Sequence, residues 1–146
     1  MNYKAILYEV DDNILTITLN RPEKLNAFNA DMQHDLINAI DRADKDDDVK
    51  AIIFTGSGRG FCAGADLSAG KDTFNMEARE DRKGAISDDG QVDWSHSGVR
   101  DGGGRVTLRM YECLKPIISA CNGPAVGVGI TMQLAMDIRL ASDQAK

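Results

Sequence analysis

The stretch Val49-Lys-Ala-Ile-Ile-Phe-Thr-Gly-Ser-Gly-Arg-Gly-Phe-Cys-Ala-Gly-Ala-Asp-Leu67 decides how the chain reads. It opens as an apolar, largely β-branched run and breaks into Gly56, Gly58, Gly60 and Gly64. That is the pattern of a buried strand emptying into a loop, and in open α/β sheets ligands bind at that edge. The glycines let the backbone turn freely and leave main-chain N–H groups open to an anionic or carbonyl-like partner. Taken alone, the stretch reads equally as a loop that only reverses the chain. It is not a Walker phosphate loop, because no glycine stands five residues before a Gly-Lys pair. Gly58-Arg-Gly60-Phe-Cys-Ala63 fits the permissive dinucleotide pattern, but Gly64 interrupts the helix such a motif must open. The acids about 20 residues on, where the motif wants one, are Glu77, Glu80 and Asp81, in a polar stretch without strand character.

Working outward, Ala5 to Val10 and Ile14 to Leu19 are strand-forming runs joined by Asp11-Asp12-Asn13, a hairpin signal. Asn20 to Phe28 contains Pro22 and reads as a loop. Asn29 is placed to cap a helix whose apolar face is Met32, Leu36, Ile40 and Ala43, with His34 on its surface. Strand, helix and strand make a crossover unit. Beyond Leu67, Ser68 to Gly104 holds seven glycines and 13 charged residues. It supplies no core and reads as a long mobile loop ending in the flexible Gly102-Gly-Gly104, with Trp94 and His96 as candidate site residues. Order is expected to return with a helix over Arg105 to Leu114, striped by Val106, Met110, Cys113 and Leu114. A strand Ile117 to Cys121 then leads into a second glycine loop, Asn122 to Gly129. A helix opening near Val128 would aim its N–H groups and positive dipole end at whatever lies between the loops. Asp137 to Ala141 resumes a strand.

The chain has 146 residues, enough for one domain, and 42% hydrophobic with 27% charged content suits a globular core. A net charge of −6 argues against nucleic-acid binding by bulk electrostatics. Three cysteines, Cys62, Cys113 and Cys121, give neither a disulfide framework nor zinc-ligand spacing, and fit a reducing compartment. There is no apolar signal region and no apolar run of membrane length, so a cytoplasmic protein is expected.

Asn20-Arg-Pro22, Phe61-Cys-Ala-Gly-Ala-Asp66 and Asn122-Gly-Pro-Ala-Val-Gly127, in this order, resemble the enoyl-CoA hydratase/isomerase (crotonase) family. The resemblance implies an α/β fold, a spiral of β-β-α turns, of which this chain is the N-terminal portion. It implies acyl-CoA substrates without a separate cofactor or metal, and assembly as trimers or pairs of trimers. Carried over, Ala65 and Val128 are the oxyanion-hole positions, acting through backbone N–H. Lys24, Leu25 and Ala27 line the coenzyme A channel, with Ala63, Gly64, Asp66, Leu67 and Gly127 completing the substrate site. Arg21, Lys24, Arg59 and Lys71 are candidate partners for its phosphates. Thr131 stands where hydratases of the family carry a glutamate, which favours isomerase-like chemistry over two-carboxylate hydration. The family's other glutamate has no counterpart before Lys146. The acids of the long loop are substitutes by sequence proximity, and Asp137 and Asp143 are the only acids after Gly123. Two alternatives stand beside this reading: Cys62 as a nucleophile, against a packing role, and a protein that binds acyl-CoA without turnover.

Overall fold

The computed structural model describes residues 2–70, 73 and 84–145. Strands β1 (Ile6–Asp11) and β2 (Ile14–Leu19) form the expected hairpin. Asp12 and Asn13 both take positive φ, at 45° and 65°. This is the turn geometry whose twist matches paired strands, and short polar side chains tolerate it best. The Asn29 side chain accepts the Met32 N–H and starts helix α1 (Ala30–Lys45). Met32, Leu36, Ile40 and Ala43 are fully buried against Leu15, Ile17 and Leu19 of β2. His34 lies on the exposed side, its imidazole beside the Asn38 amide. The sequence pattern does not announce Asp35, which is buried on this helix and accepts the Lys4 and Ala5 N–H groups at 2.7 and 2.8 Å.

Helix α1 crosses over to β3 (Ala51–Gly56), which runs parallel to β2, and β4 (Ile117–Cys121) and β5 (Ile138–Ala141) extend the sheet in parallel. The strand order is β1-β2-β3-β4-β5, so β3 and β4 are neighbours and their two glycine loops leave the same edge. Alternation within the strands puts Leu15, Ile17, Ile52, Phe54, Ile117 and Cys121 into one core.

The long excursion is more ordered at its end than its composition suggests. Residues 71, 72 and 74–83 of the expected loop, Lys71 among them, lie outside the described residues. Ile86 and Val92 form a bridge, and Ser97–Val99 make one turn of 3₁₀ helix. The glycine triplet, read as flexible, is the first turn of helix α2 (Gly102–Tyr111), because the Asp101 side chain caps it by accepting the Gly104 N–H. The helix therefore starts three residues earlier than the apolar stripe predicts. Val106 and Met110 of that stripe are buried, whereas Leu114 lies past the helix end and is 91% exposed.

Arg109 pins α2 to α1, its Nε donating to Asp41 at 2.6 Å and its terminal nitrogen to Asp44. Burial pulls the Asp44 carboxyl upward, but hydrogen bonds from Arg109, Cys113 and the Leu114 N–H outweigh it and hold the group below its ordinary value. A carboxyl whose folded pKa is depressed stabilises the fold above its unfolded pKa of about 3.9, and loses that contribution as pH falls through the folded value. Asp44→Asn should therefore weaken the protein at neutral pH and flatten its stability loss below pH about 4. Urea unfolding of both forms at several pH values checks this.

Candidate active site

The loops that leave β3 and β4 dock on one another through main-chain bonds. The Phe61 and Cys62 N–H groups donate to the Pro124 carbonyl at 3.0 and 3.3 Å, and the Val126 N–H donates to the Cys62 carbonyl at 2.9 Å. Two asparagine side chains tie the loop backbone further. Asn122 accepts the Gly56 N–H and donates to the Gly58 carbonyl, both at 3.0 Å. Asn26, wholly buried, donates to the Ser57 and Gly60 carbonyls at 2.9 Å. An amide offers a donor and an acceptor on one short side chain, so it satisfies loop backbone that no strand pairs.

Ala65 sits in a parallel bridge with Phe28. Its neighbours make that bridge: the Phe28 N–H donates to the Gly64 carbonyl at 2.7 Å and the Asp66 N–H donates to the Phe28 carbonyl at 2.8 Å. Strand pleating then turns the N–H of Ala65 itself away from Phe28. Among the described residues that N–H has no acceptor. On the opposite loop, Val128 opens the short helix α3 (Val128–Thr131), and the Gly129, Ile130 and Thr131 N–H groups donate to the Val126 and Gly127 carbonyls. The Val128 N–H, at the first helical position, likewise has no acceptor among the described residues. The helix continues only as a 3₁₀ turn, Met132–Ala135. What it offers is thus one N–H without an acceptor among the described residues, rather than the several N–H groups and positive dipole end expected from the sequence. Gly64 and Gly127 bring the loops together, both at positive φ (94° and 54°), and a Cβ on Gly64 would stand 3.2 Å from the Val126 carbonyl oxygen.

Beside Val128 opens a cleft of about 550 Å³, lined by Gly127, Val128 and Thr131 on one side and Asp101, Gly103, Gly104, Thr107 and Leu108 of the α2 start on the other. The sequence reading places Gly127, Val128 and Thr131 at the site, and the cleft joins them. It misses the α2 contribution: Asp101 before three glycines carries a helix-cap signal for the start of α2, but no local signal for its place beside Val128.

The other candidates gather on the first loop. The Ala63 N–H donates to the Leu25 carbonyl at 3.0 Å, so Leu25 to Phe28 and Ala63 to Asp66 run side by side. Ala27 is buried, Lys24, Ala63 and Leu67 are exposed, and Leu25 is half-buried. Arg21 is not free for a phosphate. It donates to the Ala27 carbonyl at 2.5 Å and pairs with Asp66 at 2.8 Å. Hydrogen bonds from the Ser68 hydroxyl and N–H, with that from Arg21, hold the Asp66 carboxyl far below the usual range. The pair braces the Phe28–Ala65 bridge from one side. Lys24 and Arg59 are exposed.

Burial pushes the Cys62 thiol up, against a nucleophilic role and in favour of packing. Trp94 is 78% exposed, and His96 accepts the Gly98 N–H; neither lines the cleft. Asp137 accepts the Ile117 N–H at 2.8 Å, at the opposite end of β4 from the loops, and Asp143 is not in the cleft. Among the described residues no group of three or more His, Cys, Asp or Glu is placed to hold a metal ion, and no helix is long and apolar enough to cross a membrane.

Residues 9–146 match the model of the family described as Enoyl-CoA hydratase/isomerase. An enoyl-CoA hydratase of Alternaria alternata is 39% identical over 135 residues, covering 92% of this chain and 40% of that protein. The 1,2-epoxyphenylacetyl-CoA isomerase of Escherichia coli is 36% identical over 141 residues, covering 97% of this chain and 48% of that protein. An enoyl-CoA hydratase/isomerase structure from Xanthobacter autotrophicus superimposes with a TM-score of 0.75 at 33% identity, covering 99% of this chain and 48% of that one. The chain thus spans about half the length of the relatives it matches.

Proposed function

Because the chain belongs to the enoyl-CoA hydratase/isomerase family, we propose that it binds an acyl-CoA thioester and serves enoyl-CoA isomerisation or hydration through an enolate held in an oxyanion hole. The observation that carries this is a pair of N–H groups, Ala65 and Val128, that have no acceptor among the described residues, on two loops locked together by main-chain bonds. Withdrawing a proton from the α-carbon, or adding water at the β-carbon, builds negative charge on the thioester oxygen. Two fixed donors meet that charge without reorganising, each contributing on the order of 3 kcal/mol to the transition state.

In this reading Lys24, Leu25 and Ala27, with Ala63, Gly64, Asp66, Leu67 and Gly127, form the coenzyme A side of the site. Asp66 acts there by bracing the first loop through Arg21. Thr131, bordering the cleft without a carboxylate, favours isomerisation. The reaction uses no cofactor, and the protein works as a cytoplasmic trimer or hexamer. The test is turnover of crotonyl-CoA and of a 3-enoyl-CoA by the full-length gene product. Conversion of the 3-enoyl-CoA is expected. Tight acyl-CoA binding with no conversion of either would leave a binding protein and overturn the enzymatic reading.

A further inference from the structure

We propose that Gln133 is a positioning residue for the oxyanion hole: its side-chain amide, anchored on the buried Ser119 hydroxyl of β4, holds the carbonyl end of α3 and so fixes the direction of the Val128 N–H. The inference rests on the oxyanion reading above. The Gln133 nitrogen donates to the Gly129 carbonyl at 2.6 Å, and its oxygen accepts the Ser119 hydroxyl at 2.7 Å. A carbonyl can only accept, so the Gly129 bond decides which end of the amide faces α3 and leaves the oxygen for Ser119.

Helix α3 needs such a hold. It has four residues, Val128–Thr131, and a single helical turn is too short to keep its own shape in water. Its orientation is therefore set from outside. On one side Gly129 is pressed against the first loop, where a Cβ would stand 2.4 Å from the Cys62 carbonyl oxygen. On the other, Gln133 ties the Gly129 carbonyl to the sheet. Within a helical turn the N–H groups point toward the N-terminal end and the carbonyls toward the C-terminal end. A bond that fixes the Gly129 carbonyl thus also fixes the axis along which the Val128 N–H leaves the turn.

Ser119 supports the assignment from β4. Of the buried residues of that strand, Ile117, Ser119 and Cys121, it alone carries a hydroxyl, and a fully buried hydroxyl costs stability unless it is bonded. Its partner is the Gln133 amide. The first loop has a matching anchor in Asn26, wholly buried and bonded to the Ser57 and Gly60 carbonyls. Each of the two loops is thus tied by an amide side chain bonded to its carbonyls.

Gln133→Met nearly keeps the shape of the side chain but makes neither bond and strands the Ser119 hydroxyl. Adding Ser119→Ala removes the stranded group, because replacing both partners by apolar ones is close to neutral for stability. The double variant therefore separates folding from positioning. In the full-length protein it should unfold much as the unaltered form does and bind a saturated acyl-CoA within a few-fold. Turnover of a 3-enoyl-CoA should nevertheless fall by about 10–10²-fold. The C=O stretching band of a bound conjugated dienoyl-CoA, lowered in the unaltered protein by the two donors, should move back toward its free value. Ser119→Ala alone should show a smaller change in the same direction, and it carries the comparison should the double variant unfold early. A folded variant whose band stays shifted would show that Gln133 serves the fold only, whatever its turnover, and this proposal would fail while the oxyanion reading stands. If the unaltered protein binds the dienoyl-CoA without shifting the band, both fail.

Discussion

Replacing Val128 by proline is expected to lower kcat by about 10²–10³-fold while the fold survives. Proline is usually a damaging substitution because it removes a donor and fixes φ, but the first position of a helix tolerates it on both counts. Val128 occupies that position in α3, and its N–H bonds nothing among the described residues. The substitution thus deletes one proposed oxyanion donor and little else. Val128→Ala is the control: it trims the side chain and keeps the N–H, so activity should stay within a few-fold. Steady-state kinetics of both variants, with unfolding curves to show that they remain folded, reads the result. A proline variant as active as the alanine variant would remove Val128 from the mechanism.

The second large effect is expected at Gly129. A Cβ there would stand 2.4 Å from the Cys62 carbonyl oxygen and 2.8 Å from the Cys62 Cβ, contacts that no side chain can make. The same carbonyl accepts the Val126 N–H, so it is one of the bonds that hold the two loops together. Gly129→Ala must push the loops apart, at a cost of about 1–3 kcal/mol in stability. Because the proposed donors sit one on each loop, a displacement near 1 Å would also misalign them and cost about 10²-fold in turnover. Thermal unfolding and kcat, measured together, should both fall. Normal kinetics in a destabilised protein would mean that the loop spacing does not set the geometry of the reaction.

How much of this was legible in the sequence varies with the kind of interaction. The strands, α1 and both glycine loops follow from local chemistry: β-branched runs, the Asn29 cap, and the Asp12-Asn13 turn. Each of these acts within a few residues, so the chain displays it directly. Composition makes the glycine triplet read as flexible, whereas the Asp101 cap and the close approach of Gly103 to Val128 give it helical order. From the sequence Arg21 reads as a candidate phosphate partner, because its actual partners, Asp66 and the Ala27 carbonyl, are set by the docking of two loops and not by spacing. The cleft wall supplied by α2 was missed for the same reason. The placement of the α2 start beside Val128 is a tertiary fact, and the Arg109 bonds to Asp41 and Asp44 hold α2 to α1.

The most direct measurement is a crystal structure of the full-length protein bound to acetoacetyl-CoA, whose enolised thioester mimics the charge the site is proposed to hold. The account predicts the thioester oxygen about 2.7–3.1 Å from both the Ala65 and Val128 nitrogens. Its acyl group should lie in the cleft between Thr131 and Asp101. A thioester oxygen bonded elsewhere, with those two N–H groups facing solvent or protein, would contradict it.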